Sequence, residues 1–280
     1  MDGLERFLAT HDLPPGFRRT IEQVCKPLAD LAAAAYARKQ VTAVIALCGS
    51  QGSGKSTIAA ATQIRLETRG LTTAVLSLDD LYLDHAARQR LAADVHPLLA
   101  TRGPPGTHDV ELGLQVLRAL GRDRPIALPR FDKATDNPAA PDQRPRFEGP
   151  AKVVIFEGWC VGARPQPRAA LRTPINALER DEDPEGRWRS FVNTALAAAY
   201  PPLFEAHDAL VLLAAPGFEV VAAWREEQEA KLRARTGAGM EPTDVTRFVA
   251  HYERLTRWIL EEMPARADWT VRLSEDRTPL

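Results

Sequence analysis

Cysteine is scarce in this chain of 280 residues: Cys25, Cys48 and Cys160, an odd number with no C-x-x-C pair. That pattern excludes a disulfide framework and a zinc site, and it points to reduced thiols in a cytoplasmic protein. Net charge is almost missing too, since 36 Lys+Arg against 37 Asp+Glu leave −1. The balance argues against a nucleic-acid-binding domain and against an acidic solvating tail. No apolar run approaches the roughly 18 residues of a membrane span, so no membrane partner is expected. Met1-Asp2-Gly3-Leu4-Glu5-Arg6 has no basic segment followed by an apolar stretch, so no secretory signal is expected. His11, His85, His96, His207 and His251 show no metal-ligand spacing, and no internal repeat or low-complexity tract is evident.

What remains is an ordinary globular composition, 45% hydrophobic, at a length a little under two typical domains. Such a chain buries about three quarters of its unfolded surface and needs no covalent staples. Phe17, Ile21, Val24, Leu28 and Leu31 recur at helical spacing, so residues 1–40 read as a helical segment, divided at Pro27. Residues 41–48, 72–78, 152–156, 209–214 and 269–273 read as buried strands, and Cys48 as core. Residues 55–69, 110–120, 219–235 and 245–262 read as helices, with Gly70 closing the first and Trp258 and Ile259 as core in the last. Strands alternating with helices imply an α/β fold with a mostly parallel sheet between helical layers. From 129 to 150 the chain is Pro-rich and without period, and a long irregular stretch of that kind is usually functional.

Gly49-Ser50-Gln51-Gly52-Ser53-Gly54-Lys55-Ser56-Thr57 fits G-x-x-x-x-G-K-[ST], between a predicted strand and a predicted helix. Glycines let successive N–H groups turn towards phosphate oxygens, and the helix N-terminus adds positive potential. Lys55 would reach the β- and γ-phosphates of ATP, and the Ser56 hydroxyl would ligate Mg²⁺.

Three constellations follow, each at or after a strand's C-terminal end, where open α/β sheets bind ligands. In Ser77-Leu78-Asp79-Asp80-Leu81-Tyr82 the paired carboxylates suggest a base for a hydroxyl acceptor, a metal ligand, or both, with Asp79 in the chemical role and Asp80 as a helix cap. Glu157 ends the apolar run Val153–Phe156, the Walker B position, and would orient Mg²⁺ directly or through water. Arg102-Gly-Pro-Pro-Gly-Thr-His108-Asp109 is a rigid turn carrying polar groups, read without further context as a turn and a cap for helix 110–120. Trp159 either walls an acceptor pocket or packs.

Together with LPRFDK (128–133), FEGWCVG (156–162) and WREEQEAKLRARTGAGM (224–240), these motifs resemble the bacterial and plant D-glycerate 3-kinases, from about Val41 onward. That family lies in the wider P-loop kinase group with phosphoribulokinase, uridine kinase and pantothenate kinase. The resemblance implies a three-layer αβα P-loop fold in one catalytic domain over 1–280, with an acceptor-binding excursion at 84–150 and a lid at 224–240. It implies Asp79 as catalytic base and an acceptor pocket lined by His108, Asp109, Arg130, Asp132 and Lys133. Asp80, Tyr82, Arg102, Arg144 and Trp159 complete the expected acceptor set, with Arg130, Lys133 and Arg144 as partners for a carboxylate.

The lid implies arginines over the phosphates, with Arg233 and Arg235 as candidates and Gly237 and Gly239 as a hinge. One departure stands out. The Gly-rich turn usual after Asp-Lys is replaced by Ala134-Thr-Asp-Asn-Pro-Ala-Ala-Pro-Asp142-Gln-Arg144. The expected activity is transfer of the γ-phosphoryl group of MgATP to the hydroxyl of a small molecule, D-glycerate first. A nucleoside, a sugar phosphate or a pantothenate-like alcohol is the alternative. A regulatory NTPase is a further one, although no Asn-Lys-x-Asp follows the late strand 209–214 to support guanine binding.

Overall fold

The computed structural model describes residues 3–11, 13–237 and 239–280, without the side chains at 232, 235 and 236. The central sheet holds β1 (Ala43–Gly49), β2 (Thr73–Ser77), β3 (Val153–Gly158), β4 (Ala209–Ala214) and β5 (Trp269–Arg272), in the order β2-β3-β1-β4-β5. All four pairings are parallel. Parallel strands need crossovers that cover both faces, which is why the inner strands β3, β1 and β4 are apolar over most of their length rather than alternating.

Successive side chains on a strand point to opposite faces, so each strand feeds two cores. Ile45, Leu47, Val153, Ile155, Val211 and Leu213 face the N-terminal helices and α2 (Lys55–Glu67). Ala46, Cys48, Val154, Phe156, Leu210 and Leu212 face α3 (Val110–Leu120), α4 (Arg187–Ala198) and α6 (Pro242–Glu262). The other long helix, α5 (Phe218–Thr236), buries Phe218, Val221 and Trp224 in the first core. All three cysteines are free and buried, and burial pushes the Cys25 and Cys48 thiols up to about 12.

Two expectations change. Pro27 does not divide the N-terminal segment. Helix runs from Phe17–Thr20 through a π-helical stretch, Ile21–Cys25, into α1 (Lys26–Lys39). Pro27 stands in the first turn of α1, where the changed hydrogen-bond register tolerates a missing N–H. The excursion is more ordered than its composition suggests: Ile126–Ala127 pairs with Arg146–Phe147, and Phe131–Asp132 pairs with Asn137–Pro138.

Candidate active site

The loop between β1 and α2 is held in the curled shape that phosphate binding needs. Gly52 and Gly54 sit at φ +78° and +83°, a region that side chains rarely enter. A Cβ on Gly52 would also lie 2.5 Å from that of Trp224, so α5 rests on the loop. Ser50 and Ser53 are buried, and their hydroxyls have no partner, nor does the Gln51 side-chain oxygen. Buried polar atoms are normally paired. Orphans gathered in one loop are what a site for an absent polar ligand leaves behind.

Beside the loop, the Ser56 hydroxyl donates to Glu157 Oε1 at 2.9 Å, while Glu157 Oε2 is buried without a partner. Burial raises the Glu157 pKa, and the nearby Lys55 ammonium opposes it. Among the described residues no group of three His, Cys, Asp or Glu could hold a metal alone. One hydroxyl and one carboxylate with a spare oxygen suit Mg²⁺, which keeps waters and shares nucleotide phosphates.

Asp79 sits in the 3₁₀ turn that continues β2, and Ser77 Oγ accepts its N–H at 3.3 Å. Tyr82 donates its hydroxyl to Asp79 Oδ1 at 2.7 Å, and Lys133 donates to Oδ2 at 2.7 Å. Burial disfavours the Asp79 charge, but the Lys133 and Lys55 ammoniums outweigh it and hold the carboxyl well below its ordinary range. Asp80 does not cap a helix. Its carboxylate accepts the Phe131 N–H at 3.0 Å and Arg130 at 3.4 Å, and the cap of the next helix, His85–Asp94, falls to Asp84. Asp80 thereby ties the turn after β2 to the 131–138 hairpin.

The hairpin explains the departure in its sequence. Asp132 accepts the Ala134 N–H and the Thr135 hydroxyl, which starts the turn. Asp136 takes the left-handed position at φ +56°, where Asp is tolerated and glycine would be usual. Its carboxylate accepts Arg88 at 2.6 Å, Arg102 at 2.5 Å and His85 at 3.1 Å. Arg88, only 1% exposed, also donates to the carbonyls of Leu83, Ala100 and Asp136. This clasp fixes the hairpin that carries Lys133 to Asp79.

His108 stacks on Tyr82, ring centroids 4.9 Å apart, and its Nδ1 lies 2.7 Å from the Tyr200 hydroxyl. Gly106 N–H already donates to that hydroxyl oxygen at 2.8 Å. The Tyr200 proton is thus free for His108 Nδ1, which leaves the imidazole proton on Nε2, buried and unpaired. Burial pushes His108 down to about 4, so the ring is neutral.

Other residues of the expected acceptor set have structural partners. Asp109 caps α3 by accepting the Leu112 N–H. Arg144 donates to the Ala139 carbonyl. Trp159 is buried, donates to the Gly103 carbonyl at 3.1 Å and packs edge-on against Tyr252. In the expected lid, Arg233 donates to the Met240 carbonyl, and Arg225 pairs with Glu229, which also accepts the Met240 N–H. Gly237 closes α5 as its C-cap. The side chain of Arg235 lies outside the described residues.

Arg277 is a residue the sequence reading missed. It donates to the Gly52 carbonyl at 2.8 Å and to Glu227 at 2.6 Å, with its guanidinium 5.3 Å from the Trp224 ring centre. Its one sequence signal is position, in the turn just after the last parallel strand. It borders a cavity of ≈ 540 Å³ on the outer flank of the loop, lined also by Phe17, Gly54, Thr57 and Gln228.

Comparison with known proteins agrees with this architecture. The model of the phosphoribulokinase / uridine kinase family matches residues 44–163. An uncharacterized kinase of Schizosaccharomyces pombe, mug58, is 36% identical over 223 residues, 75% of this chain and 78% of that protein. The chloroplastic D-glycerate 3-kinase of Arabidopsis thaliana is 28% identical over 255 residues, 85% of this chain and 54% of that protein. The solved D-glycerate 3-kinase of Cryptococcus neoformans superposes with a TM-score of 0.74 at 25% identity, covering 92% of this chain and 98% of that one. With an α/β parallel sheet, a nucleotide-binding loop and these relatives, the chain belongs to the phosphoribulokinase / uridine kinase family of P-loop kinases.

Proposed function

We propose that the chain transfers the γ-phosphoryl group of ATP to the primary hydroxyl of a small hydroxy acid, with D-glycerate as the first candidate and 3-phosphoglycerate as the product. The observation that carries this reading is Asp79, a carboxylate at the end of β2 that neighbours Lys55 on one side and contacts Lys133 of the excursion on the other. The two D-glycerate 3-kinases among the similar proteins supply the candidate acceptor.

Phosphoryl transfer asks little covalent chemistry of a protein; positioning and charge neutralisation do most of the catalysis. Backbone N–H groups of 49–57 and Lys55 would hold the β- and γ-phosphates, and the ≈ 540 Å³ cavity would take the nucleoside. Ser56 and Glu157 would hold Mg²⁺, which when bound neutralises developing phosphate charge. The acceptor oxygen attacks the γ-phosphorus as its proton passes to Asp79 and the bond to the β-phosphate oxygen breaks, releasing ADP. His108 Nε2–H is a spare donor for the acceptor, and Arg130 and Lys133 are cations for its carboxylate.

ADP release measured across D-glycerate, nucleosides, pantothenate and sugar phosphates tests the reading. Stimulation by D-glycerate is expected. Stimulation by a nucleoside and not by D-glycerate would replace the acceptor.

A further inference from the structure

Oδ1 of Asp79 accepts the Tyr82 hydroxyl and Oδ2 accepts the Lys133 ammonium, each at 2.7 Å. Each oxygen keeps a second lone pair, but a base must also attract the proton it takes, and an ammonium held against Oδ2 lowers that attraction. Lys133 therefore blocks the group that the kinase reading makes the base. The block is reversible by construction. The Lys133 side chain is 57% exposed, so water and an incoming anion can reach its ammonium while it rests on Asp79. The hairpin backbone is fixed by the Asp136 clasp with Arg88 and Arg102, so release needs only rotation of the four-carbon lysine stem. An anion draws an ammonium away from a carboxylate; a neutral alcohol does not.

We propose that Lys133 is an acceptor-operated gate: it masks Asp79 until the carboxylate of an anionic acceptor takes over its ammonium. The gate rests on the kinase reading and extends it to regulation of the same site. With Lys133 moved, Oδ2 of Asp79 receives the hydroxyl proton as the acceptor oxygen bonds to the γ-phosphorus and ADP departs. If water occupies the hydroxyl's place, the same steps give ADP and inorganic phosphate. Masking the base in the acceptor-free enzyme suppresses that waste of ATP. It also makes the negative charge of the substrate, and not only its shape, a condition for turnover.

The test uses the full chain and measures ADP and inorganic phosphate with ATP alone, with D-glycerate, with D-lactate and with glycerol. D-Lactate keeps the carboxylate but lacks the 3-hydroxyl; glycerol has the hydroxyl but no charge. The wild type is expected to hydrolyse ATP slowly alone and with glycerol, and roughly tenfold faster with saturating D-lactate. Lys133→Met is expected to hydrolyse ATP alone about tenfold faster than wild type, without response to D-lactate. Lys133→Arg, which keeps a cation, should hydrolyse ATP alone more slowly than Lys133→Met. A gain of hydrolysis cannot come from misfolding, and Asp79→Asn added to Lys133→Met should abolish it. Acceptor-free hydrolysis by Lys133→Met equal to that of wild type overturns the gate, whatever acceptor is phosphorylated. Faster hydrolysis by Lys133→Met with no phosphorylation of D-glycerate by the wild type keeps the gate and discards D-glycerate.

Discussion

Replacing His108 by asparagine tests two properties of the site at once. The asparagine Oδ1 can still accept the Tyr200 hydroxyl proton, while the titrating ring and its Nε2–H are gone. In the folded chain burial pushes His108 down to about 4, against an ordinary 6.5. As pH falls, the unfolded chain therefore binds a proton first. Stability is unaffected by this group above about pH 6.5, falls between about 6.5 and 4, and levels off below. Between pH 7.5 and 5 the wild type loses about 2 kcal/mol through His108. His251, buried at the far side of α6 from solvent and also pushed down to about 4, adds a similar loss that the variant retains. Losing the ring and its stacking on Tyr82 costs about 1–3 kcal/mol at any pH. Urea unfolding at the two pH values should thus show the wild-type advantage shrinking by about 2 kcal/mol at pH 5. An equal gap at both values would refute the neutral, buried assignment. In the kinetics, loss of the spare donor should raise the acceptor KM about tenfold and leave the ATP KM unchanged.

Lys55→Ala should lower kcat by at least about 10²-fold, because charge neutralisation at the transferring phosphoryl group is lost; near-normal turnover in the ADP-release assay would remove the loop from catalysis. Arg277→Met should raise the ATP KM by roughly tenfold with the acceptor KM unchanged, since a charge-assisted hydrogen bond to the Gly52 carbonyl is lost; unchanged nucleotide binding by calorimetry would reduce Arg277 to a surface contact. Asp136→Ala strips the buried Arg88 of its counter-ion, so urea unfolding should show a loss of about 3–5 kcal/mol, with the acceptor kcat/KM falling further than the ATP KM rises. Asp79→Asn should lower kcat by roughly 10²- to 10⁴-fold with nucleotide binding retained; an unchanged kcat would transfer the base to another group.

The nucleotide half of the site was legible in the sequence because its chemistry is local. A loop that presents backbone N–H groups to phosphate needs glycines at fixed spacing between one strand and one helix, and residues 49–57 carry that requirement in nine consecutive letters. The inner strands β3, β1 and β4 were legible for a related reason: a sheet buried on both faces forces apolar runs on them. The proposed acceptor half depends on contacts that no local pattern encodes. Lys133 meets Asp79 across 54 residues, Arg88 meets Asp136 across 48, and Arg277 meets Gly52 across 225. Asp80 shows the consequence. Its neighbours in sequence favour a helix cap, yet its partner is the Phe131 N–H, brought there by a hairpin that folds back over the turn. The 134–144 segment shows it again. Read alone, it is a turn that has lost its glycine. In the fold, Asp136 takes the left-handed position, and its side chain does what glycine could not, gathering two arginines and a histidine onto the hairpin. Replacing the glycine therefore exchanges backbone freedom for a rigid support. Such a support is what a lysine needs if its side chain alone is to move between the Asp79 carboxylate and that of an incoming acceptor.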